Sequence, residues 1–279
     1  MTSRAFQIIA GVVKERSGIV LMPEQSYLLE TRLAVLLQRL GLGSLDVLAA
    51  RLQSPGSDGL AQEVAELLTT NESHFFRDGK PFDHVRAQIP RLHRARAPGL
   101  PLRFWSAACS TGQEAYSLAI LVAEAQEADP ALRQRRFEIL GTDLTRSVLE
   151  RARQGLYTQF EVQRGLPVRM LMKHFTQVEG RWRIHDRLRQ LCRFEQANLL
   201  QDLRQFGRFD VIFCRNVLIY FDPPSKTRVL EALAAQLAPD GLLYLGAAET
   251  ALGLTDRLEP LPEIRGVYRP SAAARRAIA

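Results

Sequence analysis

The residues of this chain best suited to chemistry are four polar side chains, each set directly behind a short apolar run. LRFWSAA leads into CSTGQE, where Gly112 allows close backbone approach to a ligand and Glu114 falls in the first turn of a helix. FEILG leads to Asp143, CRFEQA to Asn198 and FDVIFCR to Asn216. If the runs are parallel strands, all four side chains stand at carboxyl ends, where open α/β sheets bind their ligands. Asp143 lies about as far downstream as the carboxylate that a nucleotide-binding sheet offers to ribose hydroxyls. The pattern holds no His/Asp or Cys/His dyad for nucleophilic catalysis. Cys109, Cys192 and Cys214 form no CxxC pair, and His74, His84, His93, His174 and His185 form no HxxxH pair. Free thiols are therefore expected, with no metal site.

The loop after the first run is not GxGxxG and offers one glycine where a pyrophosphate would have to meet the backbone. That disfavours a dinucleotide. A nucleoside without phosphates, such as S-adenosylmethionine, fits better.

These side chains need a scaffold to position them, and the chain supplies two kinds of pattern. Up to about residue 75 it reads as helices: Phe6, Ile9 and Val13 share one face, Leu29, Leu33, Leu36 and Leu40 another, and Leu60, Val64 and Leu67 a third. A helix and a Pro/Gly-containing linker follow in DGKPFDHVRAQIPRLHRARAPGLP. Beyond it, β-prone runs alternate with helical ones, which implies a mainly parallel sheet covered by helices. The alternation breaks between LERARQG and CRFEQANL, where FTQVEGRWRI reads as a hairpin turning at Glu179 and Gly180. The expected organisation is an all-helical domain over 1–80, a linker over 81–101, and an α/β domain over 102–279 with a small antiparallel β-subdomain inserted at about 165–192. The final SAAARRAIA has no apolar period and is expected to fray.

With 279 residues, 46% hydrophobic and 24% charged, the chain can bury a substantial core. No run approaches the roughly 18 apolar residues of a membrane helix, so a cytoplasmic location without membrane insertion is expected. The formal charge of +7 is not spread evenly: residues 1–80 hold 8 basic against 9 acidic side chains. Residues 164–193 hold eight basic ones (Arg164, Arg169, Lys173, Arg181, Arg183, Arg187, Arg189, Arg193) against Glu179 and Asp186.

One stretch remains, NESHFFRD at 71–78, with two phenylalanines where a helix end would need only a cap. Together with FWSAACSTGQEAYSLAI, GTDLTRSVLERARQGLY, FDVIFCRNVLIYFD and PDGLLYLGAAE it resembles the chemotaxis receptor methyltransferases, the CheR family, over nearly the whole chain. The resemblance implies a Rossmann-like S-adenosylmethionine-dependent methyltransferase domain that carries the inserted β-subdomain and follows the helical domain. It implies methylation of glutamate side chains on the cytoplasmic methylation helices of chemoreceptors, with S-adenosylhomocysteine as product, for sensory adaptation. It also gives NESHFFRD a role, because the family's matching segment closes over the cofactor. By motif, Asn71, Ser73 and Arg77 should touch S-adenosylmethionine, Glu114 its charged methionine moiety and Asp143 its ribose. Asn198 with Leu199, and Asn216 with Val217, should line the pocket. Arg77 and Tyr220 are the expected catalytic pair, attracting and orienting the substrate carboxylate.

The chain departs from the family at Gln113 and Ala115, in the helix QSYLLETRLAVLLQRLG, which keeps Arg32 and Arg39 but shows Val35, Leu36 and Gln38, and at the short hairpin turn VEGR. Members that dock on a receptor's C-terminal pentapeptide carry a longer loop at that turn, so pentapeptide tethering is not expected. With the N-terminal domain at a net charge of −1, the basic segment is the expected attraction for an acidic receptor, through Arg181, Arg183 and Arg187. Two rival functions share the fold. A nucleic-acid methyltransferase could use the basic segment, but RNVLIYF lacks the Asn-Pro-Pro-aromatic arrangement of amino-group methylation and the helical domain is not basic. A non-catalytic S-adenosylmethionine-sensing scaffold would not need Arg77, Asp143 and Tyr220 together.

Overall fold

The computed structural model describes residues 1–278. Its α-helices are α1 (Ser3–Ser17), α2 (Ser26–Leu40), α3 (Leu45–Leu52), α4 (Asp58–Leu68), α5 (Lys80–Ala95), α6 (Gln113–Ala128), α7 (Arg146–Gln154), α8 (Gln159–Gln163), α9 (Val168–His174), α10 (Asp186–Arg189), α11 (Pro223–Ala235) and α12 (Ala272–Ile278). Its strands are β1 (Leu102–Ala107), β2 (Phe137–Asp143), β3 (Leu156–Tyr157), β4 (Phe175–Val178), β5 (Arg181–Ile184), β6 (Cys192–Gln196), β7 (Phe209–Cys214), β8 (Leu237–Leu245), β9 (Leu258–Pro260) and β10 (Val267–Pro270). They form two compact units, one of Met1–Thr70 with Tyr220–Lys226, the other of Asn71–Ile219 with Thr227 onward.

The first unit is all-helical. Its apolar stripes converge, so that Ile9 and Val13 of α1, Leu29 and Leu33 of α2, Leu48 of α3 and Val64 of α4 are fully buried. α1 packs on α3 and α4, and α2 on α4. Arg32 of α2 donates to the carbonyls of Leu68 and Thr69 at 2.9 and 2.7 Å, supplying donors that the last turn of α4 lacks.

The second unit is built on a seven-stranded sheet of order β6-β2-β1-β7-β8-β10-β9. The first five strands are parallel, and β10 returns antiparallel to β8. β1 and β7 are buried along nearly their whole length, and mostly apolar, as central parallel strands covered on both faces are. The chain leaves β1 toward β2 and β6, then crosses back to β7 on β1's other side, which puts the switch point beyond the carboxyl ends of β1 and β7.

Three boundaries differ from those read in the sequence. Residues 81–101 are not a free linker: α5 buries Phe82, Val85, Ile89 and Leu92 in the core of the second unit, so the division falls at residue 70. The inserted sheet, of order β3-β5-β4, begins at Leu156 rather than near 165, because the two-residue β3 pairs with Trp182 and Arg183. The C-terminal stretch does not fray up to residue 278. It forms α12, where Arg275 binds Glu259 at 3.2 Å and the carbonyl of Pro270 at 2.7 Å. The hairpin turns at Glu179 and Gly180, both with positive φ, as the two-residue connection between β4 and β5 requires.

Candidate functional site

The four loops behind the parallel strands are stitched to one another. The β2 carboxylate of Asp143 is nearly buried and accepts the backbone N–H of Ser110 at 2.8 Å and of Thr145 at 3.0 Å. Its carbonyl accepts from Ala197 at 3.0 Å, which sets the β6 end and so Asn198 and Leu199. Asn198 Oδ1 in turn accepts the N–H of Leu200, and Leu199 is buried. Behind β7, Asn216 and Val217 are held by a residue the sequence reading passed over. Glu249 accepts their N–H groups at 2.9 Å each and that of Gly246 at 2.6 Å. Asn216 Oδ1 is left buried with no protein partner.

Glu114, in the first turn of α6, accepts the hydroxyl of Ser106 at 2.7 Å and pairs with Arg215 at 3.1 Å. Burial pushes its carboxyl pKa up from the ordinary glutamate value, with Arg215 pulling against that shift. Burial likewise raises the thiols of Cys109 and Cys214, which makes them poor nucleophiles. Among the described residues no group of three or more His, Cys, Asp or Glu side chains is arranged to hold a metal ion.

Segment 71–78 belongs to the same unit and is anchored at several points. Ser110 Oγ donates to the carbonyl of Asn71, and Ser117 Oγ accepts the N–H of Phe76 at 3.0 Å. Arg215, its side chain 1% exposed, donates to the carbonyl of Arg77 at 2.8 Å and to Asp78 Oδ2 at 2.6 Å. The phenylalanines diverge. Phe75 is fully buried edge-on to Tyr157 and Phe175 of the inserted sheet, at 5.0 and 5.6 Å between ring centres. Phe76 packs on Phe82 of α5. Five non-glycine residues of these loops, Phe76, Asp78, Ala108, Ser110 and Asn216, have positive φ. Each such conformation costs on the order of 1–3 kcal/mol and persists only where the surroundings over-determine it, as at ligand sites.

Asn71, Ser73, Arg77, Glu114, Asp143, Asn198, Leu199, Asn216 and Val217 all belong to the second unit, and hydrogen bonds tie Asn71 and the backbone of Arg77 to the loops behind β1 and β7. Tyr220 belongs to the other unit, where its carbonyl accepts the N–H of Val20 at 2.9 Å. The basic segment is less positive than its sequence suggests. Arg187 pairs with Glu127 at 3.4 Å, Lys173 with Glu124 and Glu127, Arg169 with Glu124 and Arg164 with Glu72. Arg181 and Arg183 are exposed on one face of β5, with no salt bridge among the described residues. Of the three arginines expected to meet a partner, Arg187 is therefore already engaged by α6.

Five parallel strands in this order, with carboxylates and carboxamides behind their carboxyl ends at the switch point, define a Rossmann-like domain of the kind that binds nucleoside ligands there. Residues 4–69 match the all-alpha domain of the CheR methyltransferases and residues 71–266 their SAM binding domain. The chain belongs to the CheR methyltransferase family, and its cofactor is S-adenosylmethionine. It is 35% identical to the chemotaxis protein methyltransferase Cher2 of Pseudomonas putida, over 88% of this chain and 90% of that protein. It is 38% identical to chemotaxis protein methyltransferase 1 of Vibrio cholerae, over 88% and 89%. The same identity relates it to chemotaxis protein methyltransferase 2 of Pseudomonas aeruginosa, over 89% and 87%.

Proposed function

We propose that this protein transfers the methyl group of S-adenosylmethionine to glutamate side-chain carboxylates on the methylation helices of chemoreceptors, giving glutamate methyl esters and S-adenosylhomocysteine. The observation that carries the reading is the joining of segment 71–78 to Glu114 through Arg215, within a chain whose relatives are chemotaxis methyltransferases. When bound, the cofactor supplies a methyl group made electrophilic by the sulfonium. The site residues fit it: Glu114 would meet the methionine ammonium, and Asn216 Oδ1 is an acceptor in want of a donor. Asp143, whose carboxylate helps fix the loop N–H groups of Ser110 and Thr145, is the carboxylate that would meet the ribose hydroxyls. Asn71, Ser73, Asn198, Leu199 and Val217 complete the lining.

The substrate needs little activation. A glutamate has an unperturbed pKa of about 4.3, so at neutral pH the nucleophile is already charged and no general base is required. What remains is alignment and exclusion of water, which can supply a large share of the rate. Arg77 attracts the incoming carboxylate. Arg181 and Arg183 favour an acidic receptor surface.

The test is to incubate the protein with methyl-labelled cofactor and candidate receptor, then treat the labelled product with mild base. An ester releases the label. Label that survives base on protein, or that appears in nucleic acid, would overturn the reading, as would cofactor binding with no transfer to any receptor.

A further inference from the structure

The geometry points to Arg215 as a positioning residue for methyl transfer: it latches segment 71–78 to Glu114, so that the setting of Arg77 depends on the guanidinium that offsets the buried carboxylate. The inference rests on the reaction proposed above and deepens it. Arg215 directly follows the fully buried strand β7 and precedes Asn216, whose left-handed backbone is pinned by Glu249. Its base is therefore fixed while its head reaches out of the strand end.

Three of its contacts divide between two elements. Nη1 meets Glu114 Oε2 on α6 at 3.1 Å, and Nη2 meets both the Arg77 carbonyl and Asp78 Oδ2 on the segment. The guanidinium lies 5.7 Å from the ring centre of Phe82 and 5.9 Å from that of Phe213, which fixes its plane. Nε is buried and has no partner. A buried cation left short of one bond is costly unless the arrangement serves something else. A lysine could neutralise Glu114, but its single ammonium cannot span two elements with a planar fork.

Held this way, the segment is an element with two states. With the fork in place, Arg77 faces the reacting carboxylate, and with the fork lost the strained turn at Phe76 and Asp78 relaxes. Glu114 shares the same fork, so a ligand ammonium arriving at Glu114 and the closure of the segment act on one group. Cofactor binding and the placement of Arg77 are thereby coupled.

The test uses the full-length chain with Arg215→Lys and, since that side chain is buried, Asp78→Asn, which alters the latch from its more exposed end in a residue type that tolerates left-handed backbone. Three readouts apply: amide hydrogen exchange, calorimetric affinity for S-adenosylhomocysteine, and kcat and KM for receptor methylation. In both variants the amide of Phe76 should lose protection while those of β1 and β7 keep it. Turnover should fall by about 10- to 100-fold in Arg215→Lys, as expected for losing hydrogen bonds to a charged group, and less in Asp78→Asn. The double variant should lose less than the product of the single losses, because both act on one contact. Wild-type exchange and turnover in Asp78→Asn, or strictly multiplicative losses, would overturn the latch. Failure of the wild-type chain to bind S-adenosylhomocysteine would instead overturn the reaction proposed above, while hydrogen exchange would still read the latch.

Discussion

Glu114 has two demands on it that run in opposite directions with pH. Burial raises its pKa above the ordinary 4.5, so it protonates at a higher pH than a surface glutamate does. As pH falls through that raised value the ionised fraction drops, and on the proposed reading the partner for the cofactor's ammonium is lost. Affinity for S-adenosylhomocysteine should therefore decline on acidification earlier than a normal carboxylate would dictate, and calorimetry over a descending pH series reads it. Glu114→Gln should flatten the profile. Folding stability carries the other sign: a group whose folded pKa is raised contributes stability that is full below its unfolded pKa and lost as pH rises through the folded one. Tyr220 is separable from cofactor binding. If it orients the receptor carboxylate, Tyr220→Phe should lower kcat by several-fold to tenfold and leave cofactor affinity nearly unchanged, as one lost hydrogen bond of about 0.5–1.5 kcal/mol would do. The positions of Glu114, Asp143, Asn198 and Asn216 behind strands were legible because apolar runs announce those strand ends, whereas Asn71, Ser73 and Arg77 entered only through the resemblance. Arg215 and Glu249 lay inside quoted motifs and were still passed over. The signal for Arg215 was a charge abutting six consecutive buried positions, which can be tolerated only with partners. Glu249 gave no such signal, since its partners are backbone groups brought near by the fold of the loop.

At the scale of elements, the inserted sheet and segment 71–78 support each other. Gly165, just before α9, has φ +87°, and a Cβ added there would lie 2.0 Å from the carbonyl oxygen of Phe75. Arg164 beside it pairs with Glu72 at 2.6 Å. Gly165→Ala should push the segment from its seat and cost about 1–3 kcal/mol of stability, read as a fall in Tm. Its KM for cofactor should rise, since the displaced residues include Asn71 and Ser73. The hairpin of the insert was legible from Glu179-Gly180 between β-prone runs, and the main sheet from its alternation with helices. Strands β3, β9 and β10 were not, because two to four residues give periodicity too little length to register. Nor was the attachment of α5 to the sheet unit, since an amphipathic stripe shows that a helix buries one face and not which core receives it.

At the scale of the whole molecule, much of the basic surplus of segment 164–193 is paired with carboxylates outside that segment. Glu124 and Glu127 of α6 absorb Arg169, Lys173 and Arg187, and the two arginines kept on α2 are also engaged, Arg32 by the end of α4 and Arg39 by Glu63. Arg181 and Arg183 remain exposed, and on the proposed reading they are the pair that would steer an acidic receptor. The double reversal Arg181→Glu with Arg183→Glu should raise KM for receptor without much change in kcat, and the effect should shrink as salt brings the screening length below about 8 Å. Adding Arg187→Glu would set a third carboxylate against Glu127 and lower Tm as well, which the double variant should not. The latch has a consequence for how the chain is made. Asp78 and Arg215 are 137 residues apart in sequence. At roughly 5–20 residues per second of synthesis, segment 71–78 leaves the ribosome something like 7–30 s before its guanidinium exists. Through that interval the ring partners Phe82, Tyr157 and Phe175 are made, but the guanidinium that fastens the segment to Glu114 is not, so the latch is the last of these contacts to be supplied.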